Sequence, residues 1–241
     1  MSSRRVLLLS GTTEGRRLAG RTPVISSLAG RTRSPLLPPG EVRIGGFGGV
    51  EGLIGYLRSA RIDAVIDATH PFAAAMTSHA AAACAATGVP LLILRRPGWT
   101  PVPGDRWHRV PSLPAAAALL PSLGERVFLT TGRQSIAAFA GVPGCWFLSR
   151  SVEPPEPPMP SRLEVLLDRG PFTPESEHAV LTSHAIDVLV TKDSGGSAAK
   201  LDAARALGIP VVVVDRPPLP GGIPVVPSVD AALTWLDELT A

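Results

Sequence analysis

RVLLLSGTTEGRRLAG at 5–20 aligns without a gap on RVFLTTGRQSIAAFAG at 126–141. IDAVIDATHPF (62–72) then matches IDVLVTKDSGG (186–196), GVPLLILRRP (88–97) matches GIPVVVVDRP (208–217), and VPSLPAAAALL (110–120) matches VPSVDAALTWL (226–236). The order is kept throughout, and each second copy lies about 120 residues downstream of the first. A Gly-Val/Ile-Pro turn before a strand is common in α/β proteins, so one such match means little. Several in order divide the chain into two similar halves, 1–124 and 125–241. Whatever one half folds into, the other must resemble.

The pattern inside each half is that of a parallel sheet. VLLL, AVID, LLIL and, in the second half, FLT, VLVT and VVVV are short, unbroken aliphatic runs, as strands buried on both faces should be. Helical stretches separate them at 13–20, 50–59, 73–87, 134–140, 175–183, 197–207 and 229–239. This alternation predicts right-handed βαβ units: an α/β chain of two similar Rossmann-like halves, each a mostly parallel sheet with flanking helices. The run EPPEPPMP (153–160) has few backbone donors and reads as a surface loop within the second half. Two similar halves on short connections are free to exchange edge strands, which the sequence leaves open.

Open α/β sheets bind ligands at the carboxyl ends of their strands. That rule selects Ser10–Glu14, Thr69–Phe72, Thr131–Gln134 and Thr191–Gly196, all rich in small, hydroxylated or charged residues. If the halves face each other, these loops line a ligand cleft between them. GTTEG (11–15) suits a phosphate, because Gly11 allows a tight turn before the amides of a helix start; Thr12 and Glu14 serve equally as helix caps. About 20 residues beyond Gly11, where an NAD-binding domain carries an acid, this chain has Arg31, with Ser27, Thr32 and Arg33 nearby, which favours NADP. Phe47 in GGFGG (45–49) covers a flat ligand ring or plugs the core. Of 23 basic residues only Lys192 and Lys200 are lysines, both in one segment. They offer donors to carboxylates, while Asp193 orients a lysine or handles a proton; alternatively Asp193 and Ser194 cap the helix bearing Lys200. His70, between Thr69 and Pro71, is a ligand contact, a cap or an acid.

Composition narrows the partners. A net charge of +3 favours anionic ligands, but the arginines are scattered and the chain has one tyrosine and six phenylalanines, so nucleic acid is not expected. Arg4 and Arg5 precede only Val6–Leu9, too short for a secretory signal. Met76–Leu94 is uncharged but broken by Gly88-Val89-Pro90, so no membrane span is expected. Cys84 and Cys145, far apart in apolar surroundings, suggest free buried thiols and a cytoplasmic location. The five histidines and two cysteines lack ligand spacing, so no metal is expected; neither G-x-S-x-G nor Walker A occurs.

LLLSGTTEGRRLA, VRIGGFGGVEGL, IDAVIDATHPFA, TTGRQ and LVTKDSGG together resemble the precorrin-6A reductase family of cobalamin biosynthesis, over nearly the whole chain and in the same order. The resemblance implies an NADPH-dependent oxidoreductase that reduces one carbon–carbon double bond of a tetrapyrrole, precorrin-6A, to precorrin-6B. Hydride goes to one ring carbon and a proton to its neighbour. By resemblance, Ser10, Gly11, Thr12, Thr13, Glu14, Ser27, Arg31, Thr32 and Thr69 belong to NADPH. His70, Thr131, Gly132, Arg133, Gln134, Lys192, Asp193, Ser194, Gly195, Gly196 and Lys200 belong to the anionic macrocycle, whose acetate and propionate arms suit lysine and arginine. Asp193, Lys200 and His70, in that order, are candidate proton donors, with bulk water a fourth. A transient hand-over to neighbouring pathway enzymes is also expected. The rival readings are a cobalt-precorrin-6A reductase of the oxygen-independent route, using NADH, a non-catalytic NADP-binding α/β protein, and an NADP-dependent reductase of another small molecule.

Overall fold

A computed structural model describes residues 4–30 and 36–239 of the chain. In chain order, β1 (Val6–Leu9), α1 (Thr13–Ala19), β2 (Ile25–Leu28), β3 (Glu41–Ile44), α2 (Gly49–Ser59), β4 (Ala64–Asp67), α3 (Ala74–Thr87) and β5 (Leu91–Leu94) form the first half. β6 (Trp107–Val110) and α4 (Leu113–Leu119) follow, then β7 (Arg126–Leu129), a 3₁₀ segment (Arg133–Phe139), β8 (Trp146–Ser151) and β9 (Leu163–Leu167). α5 (Pro174–Ser183), β10 (Val188–Lys192), α6 (Ala199–Ala206), β11 (Val211–Val214), β12 (Val225–Val226) and α7 (Val229–Glu238) complete the chain.

Two six-stranded sheets result, ordered β12-β5-β4-β1-β2-β3 and β6-β11-β10-β7-β8-β9, with every pairing parallel. The aliphatic runs are apolar at each position because both faces are covered. In the first sheet Leu8, Ile66 and Leu92 face Leu18 of α1 and Ala232 and Leu236 of α7. The alternate residues Leu7, Val65 and Leu91 face Leu53 and Leu57 of α2 and Ala80 and Cys84 of α3. In the second sheet Phe128, Leu148, Leu189 and Val211 pack with Leu181 of α5 and Leu201 of α6. Cys84 and Cys145 are free and buried. The proline-rich loop lies between β8 and β9. Among the described residues no helix is long and apolar enough to cross a membrane.

The division of the chain differs from the one the repeat predicts. β6 follows β5 in sequence but pairs with β11, while β12 follows β11 but pairs with β5. One unit is therefore Met1–Pro97 with Pro217–Ala241, and the other is Gly98–Arg216. The 124/125 boundary falls inside the second unit. The reason lies in the repeat itself: β6–α4 and β12–α7 are copies of one strand–helix piece, and β5 and β11 offer similar aliphatic edges. The shared pattern does not itself say which edge each copy joins. A second difference is the segment expected as a helix at 134–140, which is 3₁₀ rather than α.

Candidate active site at the carboxyl ends of the strands

In the first unit, Ser10 extends the β1–β2 ladder by donating its amide to Ser27 O at 2.9 Å, which sets the two serines at adjacent strand ends. Gly11 has φ +144° and no atom within 4 Å of where a Cβ would stand, so the backbone here is open to a ligand. Ser10 Oγ is buried without a hydrogen-bond partner. A Cβ on Gly15 would come within 2.6 Å of it. Thr12 is committed to structure: its Oγ1 accepts from Gly15 N at 3.2 Å and donates to Ala68 O at 2.8 Å, tying the loop to β4. Glu14 pairs with Arg96 at 2.9 Å and Thr13 Oγ1 accepts from Arg16 at 3.3 Å. Arg31 and Thr32 lie outside the described residues. Arg43 of β3 donates to Ser27 Oγ at 3.3 Å and to Gly45 O at 2.5 Å, with its guanidinium 3.8 Å from the Phe47 ring centroid. Phe47 packs on the core beside Tyr56, so of its two readings the structure favours the plug.

At the end of β4, buried Asp67 organises the following loop. Its Oδ1 accepts from Thr69 N at 2.9 Å and Thr69 Oγ1 at 2.7 Å, and its Oδ2 from Thr77 Oγ1 at 2.6 Å. The Thr69 hydroxyl proton is thereby spent on Asp67. His70 is exposed and its Nδ1 accepts from Phe72 N at 3.2 Å, so it closes the turn. An Nδ1 that accepts carries no proton, which places the ring proton on Nε2. Arg95 donates to Pro71 O at 2.5 Å, and Asp67, Thr69, His70, Thr77 and Arg95 line a small cavity with Leu219.

The second unit repeats this layout with different chemistry. Thr131 Oγ1 is buried without a partner. Gly132, with φ +82°, again leaves open space where a Cβ would stand. Arg133 pairs with Glu153 at 3.1 Å, and with Gln134 it lines an open pocket beside Glu156 and Pro157. Lys192, last residue of β10, donates to Ser135 Oγ at 2.6 Å, and Ser135 donates to Thr131 O at 3.1 Å. Burial holds the Lys192 ammonium below its ordinary pKa.

Asp193 is held in place by residues of other elements. Its Oδ1 accepts from Trp99 N at 3.0 Å and its Oδ2 from Arg109 at 3.1 Å, while Arg216 donates to its carbonyl at 2.7 Å. Each of these contacts uses Asp193 as an acceptor, and Arg216 also lies 3.8 Å from its Oδ1. Asp193 does not cap α6, whose N-cap is Ala198 with no side-chain bond. Ser194 donates its amide to Lys192 O at 2.6 Å. Gly195 and Gly196 take φ +67° and +79°, and Gly196 O accepts from Trp99 Nε1 at 3.2 Å. The Lys200 ammonium lies 4.7 Å from the Trp99 ring centroid.

Trp99, Arg109, Ser135, Asp67, Arg43 and Arg96 all escape the sequence reading. Asp67 carries a signal, a charge closing an apolar run, and Ser135 directly follows TTGRQ. Trp99 and Arg109 carry none, because the strand that brings Arg109 to Asp193 precedes it by more than half of a half-chain and pairs by exchange.

Parallel sheets whose carboxyl-end loops hold open glycines, orphan hydroxyls and a half-buried ammonium have the form of a Rossmann-like α/β ligand-binding protein. Residues 5–237 match the family model described as CbiJ: Precorrin-6x reductase CbiJ/CobK. The chain belongs to this family of reductases, oxidoreductases acting on a carbon–carbon double bond. It is 52% identical over 244 residues to the Precorrin-6A reductase of Rhodococcus erythropolis, covering 98% of each chain. It is 45% identical over 242 residues to that of Rhodobacter capsulatus, covering 97% of this chain and 96% of the other. A Cobalt-precorrin-6A reductase of Priestia megaterium is 25% identical over 236 residues, covering 90% and 92%. A solved structure titled CobK precorrin-6A reductase superimposes with a TM-score of 0.92 at 44% identity, covering 98% of this chain and 97% of that one. Membership implies a nicotinamide cofactor, and the orphaned Ser10 Oγ beside the open backbone of Gly11 fits one.

Proposed function

We propose that the protein reduces precorrin-6A to precorrin-6B with NADPH. The observation that carries the reading is the 52% identity, end to end, with a precorrin-6A reductase, against 25% with a cobalt-precorrin-6A reductase. When bound, NADPH supplies the hydride. Ser10 and Gly11 hold its pyrophosphate, with Thr13 at the same turn. Ser27 takes the ribose, and Arg31 with Thr32 takes the 2′-phosphate. Thr12, Glu14 and Thr69 shape the loops that do this, through Ala68, Arg96 and Asp67 respectively.

Thr131, Gly132, Arg133, Gln134, Lys192, Ser194, Gly195, Gly196 and Lys200 take the macrocycle, their cations meeting its carboxylate arms. Asp193 positions that loop through Arg109 and Trp99. His70 offers an Nε2–H donor, a neutral contact rather than an acid. Two buried free thiols suit a reducing cytoplasm, where product passes to the next enzyme of the route.

The test is a paired titration with NADPH and NADH, then turnover with precorrin-6A. NADPH should bind at least about tenfold tighter, about 1.4 kcal/mol; Arg31→Ala should erase that preference, and the product should gain two hydrogens in mass. Equal affinity for both cofactors removes the assigned 2′-phosphate site. A substrate mass that never changes sinks the function.

A further inference from the structure

Ser27 stands one residue from the end of β2, its carbonyl bonded to Ser10 N, and it is only 6% exposed. Its Oγ accepts from Arg43 at 3.3 Å. Among the described residues nothing accepts the Ser27 hydroxyl proton in return. A hydroxyl turns its hydrogen away from a group that donates to it, so Arg43 decides where this proton points.

Arg43 is the cross-strand neighbour of Ser27 in the β2–β3 ladder. Its guanidinium donates to three neutral oxygens: Ser27 Oγ, Gly45 O at 2.5 Å and Gly46 O at 2.7 Å. It also lies 3.8 Å from the Phe47 ring centroid and 5.2 Å from that of Tyr56. Among the described residues no carboxylate pairs with it. The charge is therefore uncompensated, at the carboxyl edge where such sheets hold their ligands. The same bonds engage two carbonyl oxygens that would otherwise repel an anion. Around them the chain leaves room, because Gly45, Gly46, Gly48 and Gly49 have no atom within 4 Å of where a Cβ would stand. A hydroxyl proton without an acceptor, two neutralised carbonyls and an open backbone, all beside one cation, suit an anionic group.

We infer that Arg43 is a positioning residue that gives the cofactor site its preference for the phosphorylated ribose. It aims the Ser27 proton at the ligand and keeps the Gly45 and Gly46 oxygens engaged, while Arg31 supplies the cation that meets the phosphate. The inference rests on the NADPH reading. A hydrogen bond to a phosphate oxygen is about twice as strong as one to a neutral hydroxyl, and the Arg43 charge adds attraction for the extra phosphate. Loss of Arg43 thus weakens NADPH more than NADH.

Titration of the full chain with NADPH and with NADH reads the ratio of their dissociation constants. Arg43→Met keeps an aliphatic stem against Phe47 and removes the donors; the preference for NADPH should fall about fivefold, the size of one hydrogen bond. Arg43→Lys keeps the charge but cannot fork to three acceptors, so it should lose the preference as Arg43→Met does. Ser27→Ala leaves Arg43 in place and tests the other end of the bond. It should lower the preference too, and combining it with Arg43→Met should lower it no further than Arg43→Met alone. Because Ser27→Ala removes a single oxygen, it answers the question even where Arg43→Met fails to fold.

Equal weakening of both cofactors by Arg43→Met shows a merely structural role and overturns the inference. So does an unchanged preference in Arg43→Lys or Ser27→Ala, or losses from Ser27→Ala and Arg43→Met that simply add. In each of these cases the wild-type preference for NADPH still stands. A wild-type protein that binds the two cofactors equally overturns the NADPH reading and the inference with it.

Discussion

Arg150 of β8 and Glu177 in the first turn of α5 form a buried ion pair at 2.6 Å, with side chains 7% and 2% exposed. The guanidinium also lies 3.6 Å from the Phe172 ring centroid and 5.1 Å from that of Phe128, while Glu177 Oε2 is buried without a partner. Replacing Arg150 by Met removes the cation and strands the carboxylate in an apolar shell, where it escapes by taking a proton. A glutamic acid in water titrates near pH 4.3, so at about 1.36 kcal/mol per pH unit, holding one neutral at pH 7 costs about 3.7 kcal/mol. That figure falls within the ~3–5 kcal/mol typical of a broken buried pair. The folded variant then binds a proton that the unfolded chain lacks, so its stability falls as pH rises above the unfolded value. The deficit should therefore shrink from about 4 kcal/mol at pH 7 to about 1 kcal/mol at pH 5. Glu177→Leu leaves a guanidinium that cannot shed its charge, and its deficit should stay flat across the same range. The double variant should recover most of either loss. Urea unfolding followed by tryptophan fluorescence in a Trp235→Phe background reports on Trp99, Trp107 and Trp146, all in the second unit. An Arg150→Met deficit that is equal at the two pH values, or larger at pH 5, would show that the stranded carboxylate finds water or another cation, and would refute the argument.

Two further outcomes follow from close contacts. Burial pushes the Cys84 thiol up to about 12, so at pH 8 it should stay unreactive to a thiol-disulfide reagent in the folded protein and react fully in urea. A Cβ on Gly98 would lie 2.8 Å from Asp193 Oδ2 and 3.1 Å from Oδ1; Gly98→Ala should cost about 1–3 kcal/mol and weaken tetrapyrrole binding while leaving cofactor affinity unchanged. Equal KM values for wild type and Gly98→Ala would remove Asp193 from its positioning role.

The sheets were legible because aliphatic runs such as VLLL and VVVV have no other use at that length, and because the repeat showed each of them twice. The exchange of β6 and β12 was not legible. Pairing is decided by which edge lies open in space, and the repeated pieces carry the same hydrophobic pattern whichever edge they join. The loops were found by their position after strands, but their division of labour was hidden. Thr12, Glu14, Thr69 and Asp193 also bond to Ala68, Arg96, Asp67 and Arg109, and those bonds could not be read from the loops. Those partners come from other strands, at separations no local pattern encodes. Lys192 was visible as one of a clustered pair, but nothing in TKDSGG distinguished it from Lys200. The difference is burial and a serine from a different strand end.

The exchange also sets an order of manufacture. The first sheet's β1 leaves the ribosome more than two hundred residues before its last strand, Val225–Val226, and the α7 residues Ala232 and Leu236 that complete one face of its core. The second unit, a continuous segment, has its whole sheet available sooner. The unit started first is thus finished last, and until then β5 presents an open, aliphatic edge. Another nascent copy's β12–α7 piece, or the chain's own β6–α4, matches that edge well enough to occupy it in error. A cell making this protein must keep that edge unoccupied while residues 97–225 are made, so slow codons or a holding chaperone acting in that interval should raise the yield of active protein.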